Sequence, residues 1–169
     1  MSSEEFRAGM RKLTGGVTII TSMDAEGNRC GLTATAVCSL STEPASLLAC
    51  VNRASSVAAV AGSSGVFAVN VLSLDQQSVA EVFAGRAGLV REERFAAGDW
   101  REGAATGAPV LSETCVSFEC EIADIKEFGT HLILIGKVAK THCTPEDDNP
   151  LIYGNGEFLT AAVPPQAAA

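Results

Sequence analysis

Two short segments of the sequence combine small side chains with polar groups in a way that suits ligand binding. The first, residues 31–41, alternates Thr and Ser with Gly, Ala and other small residues along the end of a predicted strand. Small side chains leave backbone N–H and C=O groups accessible, so such a stretch can hydrogen-bond the edge of a flat ligand directly. An ordinary Thr-rich strand gives the same pattern, because Thr favours strands.

The second segment, residues 50–56, runs from a strand end into the start of a predicted helix and carries Asn52, Arg53, Ser55 and Ser56. Helix N-termini present free N–H groups and partial positive charge, so this segment is a candidate phosphate site. N-capping by Ser55 or Ser56 explains the same residues without a ligand.

Two histidines are present, and His131 is the better candidate for a site because it follows Gly-Thr at the start of a predicted strand. His142 is predicted to lie in a surface loop. Neither has a second His, Cys or carboxylate at metal-ligand spacing, so no metal site is predicted. A Cys–His pair using Cys38 or Cys50 stays conceivable, although nothing in the sequence marks either thiol as activated.

Charge and motifs exclude several functions. The net charge of −8 and a pI near 4.7 argue against a nucleic-acid partner, which requires a basic surface. No nucleophile elbow, P-loop or Rossmann glycine motif is present, so a bound dinucleotide is not held in Rossmann fashion. An anionic cofactor would depend on backbone N–H groups and on local cations.

Length and composition indicate one domain over residues 1–160, followed by an Ala/Pro-rich tail over residues 161–169. No apolar run reaches the ~18 residues that span a bilayer, so no membrane association is expected. The six cysteines lack a C-x-x-C pair and no signal peptide is recognised. We therefore expect a reduced, cytoplasmic protein.

Hydrophobic periodicity predicts a mainly β chain with a few helices. The expected helices begin at residues 2, 55 and 73, and the expected strands cover residues 17–21, 30–37, 47–51, 66–71, 116–122 and 131–138. The last two strands form a predicted hairpin with its loop at 126–130, and residues 85–109 form a predicted surface excursion. Many strands with few helices favour an antiparallel barrel, because closure removes exposed sheet edges.

Segments spread over most of the chain also share a characteristic order and spacing. They are residues 6–21, 31–36, 39–41, 44, 50–52, 55–56, 67–72, 83–85, 94–95, 100, 129–131, 135–138, 150–153 and 156. Together they resemble the flavin reductase-like domain, found in the short-chain reductase components of two-component aromatic hydroxylases. The resemblance implies an FMN-binding split barrel, antiparallel and Greek-key-like, that acts as an NAD(P)H:flavin oxidoreductase.

The resemblance also implies roles for individual residues. The isoalloxazine ring would be lined by Thr33, Ala34, Thr35, Ala36, Ser39 and Leu40. The ribityl chain and phosphate would be approached by Cys50, Val51, Asn52, Ser55 and Ser56, and the phosphate or adenylate end would be closed by Ala84, Gly85 and Arg86. His131 matches the histidine beside the nicotinamide, and Tyr153 with Gly156 would belong to the same mouth.

The expected cofactors are FMN, with FAD as the alternative, and NADH or NADPH. The expected partners are a second copy of the chain, in a homodimer, and a separate flavin-dependent monooxygenase. Three rival interpretations stay open: a flavin carrier of the same fold without reductase turnover, a pyridoxamine-phosphate-oxidase-like enzyme, and an unrelated small-barrel structural protein. The basic phosphate-binding cluster of the second rival is not found in the sequence.

Overall fold

The computed structural model describes residues 2–144 and 149–160, in which twelve strands and three α-helices follow one another. In chain order they are α1 (Ser3–Met10), β1 (Gly15–Gly16), β2 (Thr18–Met23), β3 (Arg29–Ala34), β4 (Val37–Thr42), β5 (Ala45–Asn52), α2 (Ser56–Ser64), β6 (Val66–Val71), α3 (Gln77–Phe83), β7 (Trp100–Glu102), β8 (Pro109–Leu111), β9 (Val116–Phe128), β10 (His131–Cys143), β11 (Ile152–Gly154) and β12 (Glu157–Leu159). Two 3₁₀ turns, Leu74–Gln76 and Arg91–Ala96, flank α3. The predicted tail lies outside the described residues.

Seven strands form one antiparallel sheet in the order β3-β2-β6-β9-β10-β5-β4. β3 and β4 are its two edges, yet only Thr35 and Ala36 separate them in sequence. Since successive Cα atoms are about 3.8 Å apart, Ala34 and Val37 lie within about 11 Å of each other, which forces the sheet to roll up. No ladder joins β3 to β4 in the described chain, so the barrel is split at this seam.

The barrel interior and one end are filled by aliphatic side chains. α2 covers the end, because Val57 and Ala61 on its inner face pack with Phe67 of β6 and Leu134 of β10. Ser55 caps α2 by accepting a hydrogen bond from the Ala58 N–H at 3.2 Å. The predicted helix and its predicted cap are therefore both present.

A second core lies where the sequence predicted a surface excursion. Phe83 of α3, Phe95 and Trp100 form a cluster of three rings with centroids 4.9–5.2 Å apart. Residues 85–109 are thus anchored by aromatic burial rather than lying loosely on the surface. The cluster also abuts β3, since a Cβ at Gly31 would come within 2.6 Å of the Phe83 ring.

Three further expectations are corrected. The predicted strand 30–37 is interrupted at Thr35 and Ala36, because the chain leaves one sheet edge there and starts the other. β9 and β10 are each 13 residues long, and only Gly129 and Thr130 connect them. His142 lies on β10 rather than in a surface loop, because its ring reaches the buried carboxylate of Glu119.

Glu119 is fully buried on β9 and joins distant parts of the chain. Its Oε1 accepts a hydrogen bond from His142 Nε2 at 2.7 Å. Its Oε2 accepts from the N–H groups of Ala105 and Thr106, at 2.9 and 2.7 Å, and from the Thr106 hydroxyl at 3.0 Å. Burial is the largest influence and raises the pKa of Glu119, but these hydrogen bonds together outweigh it and hold the pKa below its ordinary value.

Glu119 therefore makes the stability of the folded protein depend on pH. Because the pKa of the folded state is lowered, its stabilising interactions are fully present above the pKa of the unfolded state and are lost as pH falls through the folded value. We expect Glu119→Gln to lower the free energy of unfolding at neutral pH by about 1–3 kcal/mol and to flatten the acid dependence. Urea unfolding from about pH 7 to pH 3 measures both. Glu121→Gln, at an exposed position of β9, is the control, and equal pH slopes in all three proteins would contradict the prediction.

Candidate functional site

The candidate site is a cleft of about 470 Å³ at the barrel's seam. The end of β3 and the seam residues form one wall, and the end of β5 forms another. The lining residues are Leu32, Thr33, Ala34, Thr35, Ala36, Cys50, Val51, Asn52, Phe83, Ala84, Arg94 and His131. The structure thus brings together residues 33–36, residues 50–52 and His131, which are far apart in sequence.

A backbone hydrogen bond, in which the Cys50 N–H donates to the Ala36 carbonyl at 2.9 Å, fixes Ala36 to β5 beside the seam. Asn52 and His131 are directly opposite each other on β5 and β10. Opposite residues of an antiparallel pair project to the same face, so both side chains stand side by side at the cleft mouth. The Thr130 hydroxyl lies 2.9 Å from His131 Nδ1 and restrains the ring.

The two threonines of the wall differ in what their hydroxyls can do. Thr33 Oγ1 donates to the Ala80 carbonyl at 2.7 Å and so fastens β3 to α3. The exposed Thr35 hydroxyl has no hydrogen-bond partner within residues 2–144 and 149–160. Of the two, Thr35 is therefore the one that can bind a ligand through its side chain.

Arg94 supplies a fixed positive charge that the sequence reasoning did not assign to the site. Its Nε donates to the Leu89 carbonyl at 3.0 Å, and its Nη1 lies 3.4 Å from the carbonyls of Gly31 and Phe83. No Asp or Glu lines the cleft. A cation held by neutral carbonyls keeps its full charge, so the cleft favours an anionic ligand in spite of the acidic composition of the chain.

Two smaller hollows adjoin the cleft and share lining residues with it. The first, about 250 Å³, shares residues 33–35 and Ala84 with the cleft and adds Val17, Arg86, Tyr153 and Phe158. The second, about 300 Å³, shares Thr35 and Tyr153 with the first and is completed by Arg7, Met10, Arg11, Leu13, Gly154, Asn155 and Gly156. We call the cleft and both hollows together the groove.

The remaining predicted site residues lie outside the groove or at its edge. Ser39 lines a separate apolar hollow on the other side of the seam, and Leu40 on the same strand is half exposed. Ser55 and Ser56 are half-buried at the start of α2, where Ser55 acts as the cap. Gly85 adopts a positive φ of 81° and stands close to the Arg94 guanidinium.

In residues 2–144 and 149–160, no three His, Cys, Asp or Glu side chains come together as metal ligands. Every helix in this part of the chain is too short or too polar to cross a membrane.

A split antiparallel barrel whose seam residues are small, with a histidine and a fixed arginine lining the adjacent cleft, defines a class of small barrels with room for a flat anionic ligand. Comparison with known proteins identifies the family within this class. The family model described as the flavin reductase like domain matches residues 10–162. The chain belongs to this family.

Individual relatives match most of this chain and of their own length. The 4-hydroxyphenylacetate 3-monooxygenase reductase component of Pseudomonas aeruginosa is 39% identical over 98% of this chain and 95% of its own. The FMN reductase (NADH) RutF of Ancylobacter novellus is 43% identical over 82% of this chain and 74% of its own. Among solved structures, the NADH:FAD oxidoreductase SgcE6 of Streptomyces globisporus C-1027, in complex with NAD and FAD fragments, superposes with a TM-score of 0.86 at 27% identity, covering 97% and 94% of the two chains.

These findings confirm the family predicted by resemblance and the mainly β split-barrel fold. Membership of the family places the chain among the NAD(P)H:flavin oxidoreductases.

Ala84 borders both the cleft and the first hollow and is exposed, so it can be enlarged without disturbing the core. We expect Ala84→Leu to fill the junction and to weaken flavin binding by about tenfold or more through steric exclusion. Fluorescence titration with FMN measures the affinity, and thermal unfolding checks the fold. The matched control is Ala59→Leu at an exposed position of α2 that does not line the groove. An unchanged affinity in Ala84→Leu would show that flavin does not pass this junction.

Proposed function

We propose that the protein is an NADH-dependent flavin reductase that transfers hydride from the nicotinamide to FMN and supplies reduced flavin to a separate monooxygenase. The observation that carries the proposal is the cleft, in which small seam residues, the fixed Arg94 and His131 line one space of about 470 Å³. The relatives named as an FMN reductase (NADH) and as a monooxygenase reductase component support it.

The seam fits a flavin because the small side chains on both of its sides leave the backbone polar groups accessible. β3 has only one ladder neighbour, so part of its backbone N–H and C=O groups face away from the sheet. Ala34, Thr35 and Ala36 leave these groups within reach of a flat ring. A flavin, when bound, supplies the ring nitrogen that accepts hydride from the nicotinamide.

In this proposal the protein's side chains position the reactants and stabilise charge. His131, restrained by Thr130, orients the nicotinamide and does not need to gain or lose a proton. Arg94 stabilises negative charge at the cleft floor. Asn52 with Ser55 and Ser56 is the proposed phosphate site, supported by the start of α2, and Arg86 is the alternative cation.

We further propose a homodimer that acts in the cytoplasm. Support for the dimer comes from a hollow of about 620 Å³ whose lining includes Val37, Leu47, Phe118 and Val138, and from Leu40 beside it. An open apolar hollow beside an exposed leucine is typical of an interface, and a partner copy would bring its Ser39 and Leu40 to a shared flavin site. A monomeric mass by light scattering would contradict the dimer.

The first test is anaerobic reduction. We expect added FMN to be bleached near 450 nm, the band typical of oxidised flavins, when NADH is mixed with the protein. Stopped-flow absorbance measures the rate, with FAD and NADPH as comparison substrates. The alternative of a flavin carrier would be supported if FMN binds but neither nicotinamide bleaches it.

The second test concerns His131. We expect His131→Ala to lower kcat/KM for NADH by roughly ten- to a hundredfold, about 1.4–2.8 kcal/mol of transition-state stabilisation, and to leave the flavin Kd within about twofold. Paired measurements of flavin Kd and of anaerobic rate against NADH concentration decide it. Lys126→Ala, exposed on the same hairpin, is the control. A variant that loses flavin but keeps its NADH dependence would place His131 in the flavin site instead.

A further inference from the structure

We propose that Arg29 and Glu92 are positioning residues, which fix the Arg94 guanidinium in the cleft and thereby raise the affinity of the protein for an anionic flavin. Arg94 lines the cleft, whereas Arg29 and Glu92 lie behind it. Glu92 and Arg94 belong to the 3₁₀ turn Arg91–Ala96, which we call the 91–96 turn, and Arg29 begins β3. The inference rests on the proposed function, in which Arg94 stabilises negative charge at the cleft floor.

The first observation is that the hydrogen bonds of Arg94 itself hold its guanidinium weakly. Its Nη1 lies 3.4 Å from the carbonyls of Gly31 and Phe83, whereas the bond from its Nε to the Leu89 carbonyl, at 3.0 Å, has an ordinary length. N–H···O hydrogen bonds are usually about 2.7–3.2 Å long between the heavy atoms. The position of the guanidinium therefore depends on the position of the turn that carries it.

The second observation is the contact between Arg29 and Glu92. Arg29 Nε donates to Glu92 Oε1 at 2.8 Å, Arg29 Nη2 donates to the same oxygen, and the Arg29 backbone N–H donates to Oε2 at 3.2 Å. Arg29 Cζ also lies 4.5 Å from the centroid of the ring of Phe95, which is buried further along the turn. An isolated exposed ion pair stabilises a protein little, but this arginine holds the turn at two residues, through a carboxylate and through a ring.

The third observation is backbone strain at the start of the turn. Arg91 has a φ of 33°, which is uncommon for a residue other than glycine, and its guanidinium lies 3.8 Å from the Asp24 carboxylate. Such a backbone conformation persists only where the surrounding structure imposes it. Arg91 and Glu92 both contact the β2–β3 hairpin, so contacts from outside the turn set its conformation.

The fourth observation is how the turn lies along the edge strand β3. Glu92 and Arg94 are two residues apart on the turn, and the positions they reach on β3, Arg29 and Gly31, are also two residues apart and in the same order. The contact at Arg29 therefore sets how far along the strand Arg94 can reach. Without that contact the turn is free to shift, and the guanidinium is no longer held in the cleft.

The decisive variant is Glu92→Gln, because positioning and simple electrostatics predict opposite results for it. Removal of a negative charge near the cleft would by itself strengthen the binding of an anion, whereas loss of positioning weakens it. We expect the FMN Kd of the full-length protein, measured by fluorescence titration, to rise about three- to tenfold. Riboflavin lacks the phosphate and its charge, so its Kd should change by less than about twofold.

Three further measurements separate positioning from other causes. In the Arg94→Gln background, Glu92→Gln should weaken FMN binding no further, because the positioned cation is already absent. Arg29→Gln should weaken FMN binding as Glu92→Gln does, and Arg29→Lys, which keeps a charge for Glu92 but not the fork geometry, should bind FMN with intermediate affinity. The matched control is Asp124→Asn, which removes an exposed carboxylate paired with Lys126 on β9 and should bind FMN as the wild type does.

Thermal unfolding checks the fold of each variant, and anaerobic reduction by NADH is measured in parallel. The inference would be overturned if Glu92→Gln leaves the FMN Kd unchanged or lowers it, weakens FMN and riboflavin equally, or weakens FMN as much without Arg94. Should Glu92→Gln not fold, the order of FMN affinity among wild type, Arg29→Lys and Arg29→Gln decides instead. These results leave the proposed function untouched if NADH still bleaches FMN. A protein that shows the expected FMN affinities but no bleaching would contradict the proposed function and retain the positioning role.

Discussion

The two-residue connection between β3 and β4 is the constraint on which the rest of this structure depends. Because Thr35 and Ala36 must join the two outermost strands of a seven-stranded sheet, the sheet closes on itself. Closure is incomplete, since no ladder bridges the seam in the described chain. The opening therefore lies between strands that are close in sequence, and its walls are strands of the barrel sheet itself.

An open seam leaves a strand edge that must be protected. α3 covers β3 through the Thr33 hydroxyl and the Phe83 ring, and the Arg94 guanidinium reaches the Gly31 and Phe83 carbonyls. The same contacts that protect the edge place a cation in the cleft. One arginine thus both covers the strand edge and gives the cleft a positive charge. The excursion that carries this arginine is held in place by the contacts between the aromatic rings.

The local patterns of the sequence predicted the central strands and the capped helices, because strand alternation and capping are set by near neighbours. Of the predicted ligand segments 31–41 and 50–56, only residues 32–36 and 50–52 line the cleft. The patterns did not predict that the strand ends at Thr35, because the alternation of side chains continues when the chain passes from one edge strand to the other. The site role of Arg94 and the pairing of His142 with Glu119 depend on contacts 63 and 23 residues apart, which no local pattern contains. The family resemblance supplied the expected role of His131, which its position alone had made a site candidate without a role.

The cations of this chain differ in how their charge is balanced. Four of them, such as Arg53 with Glu127, pair with nearby carboxylates in the described residues, which limits the field they project. Arg94 is held by carbonyl oxygens instead, and no Asp or Glu lines the cleft, so its field extends into the cleft. An acidic surface repels polyanions in general, while a cleft with one fixed cation attracts a small anion that fits. The proposed preference for a flavin cofactor over nucleic acid therefore depends on where the charges are paired as well as on their sum.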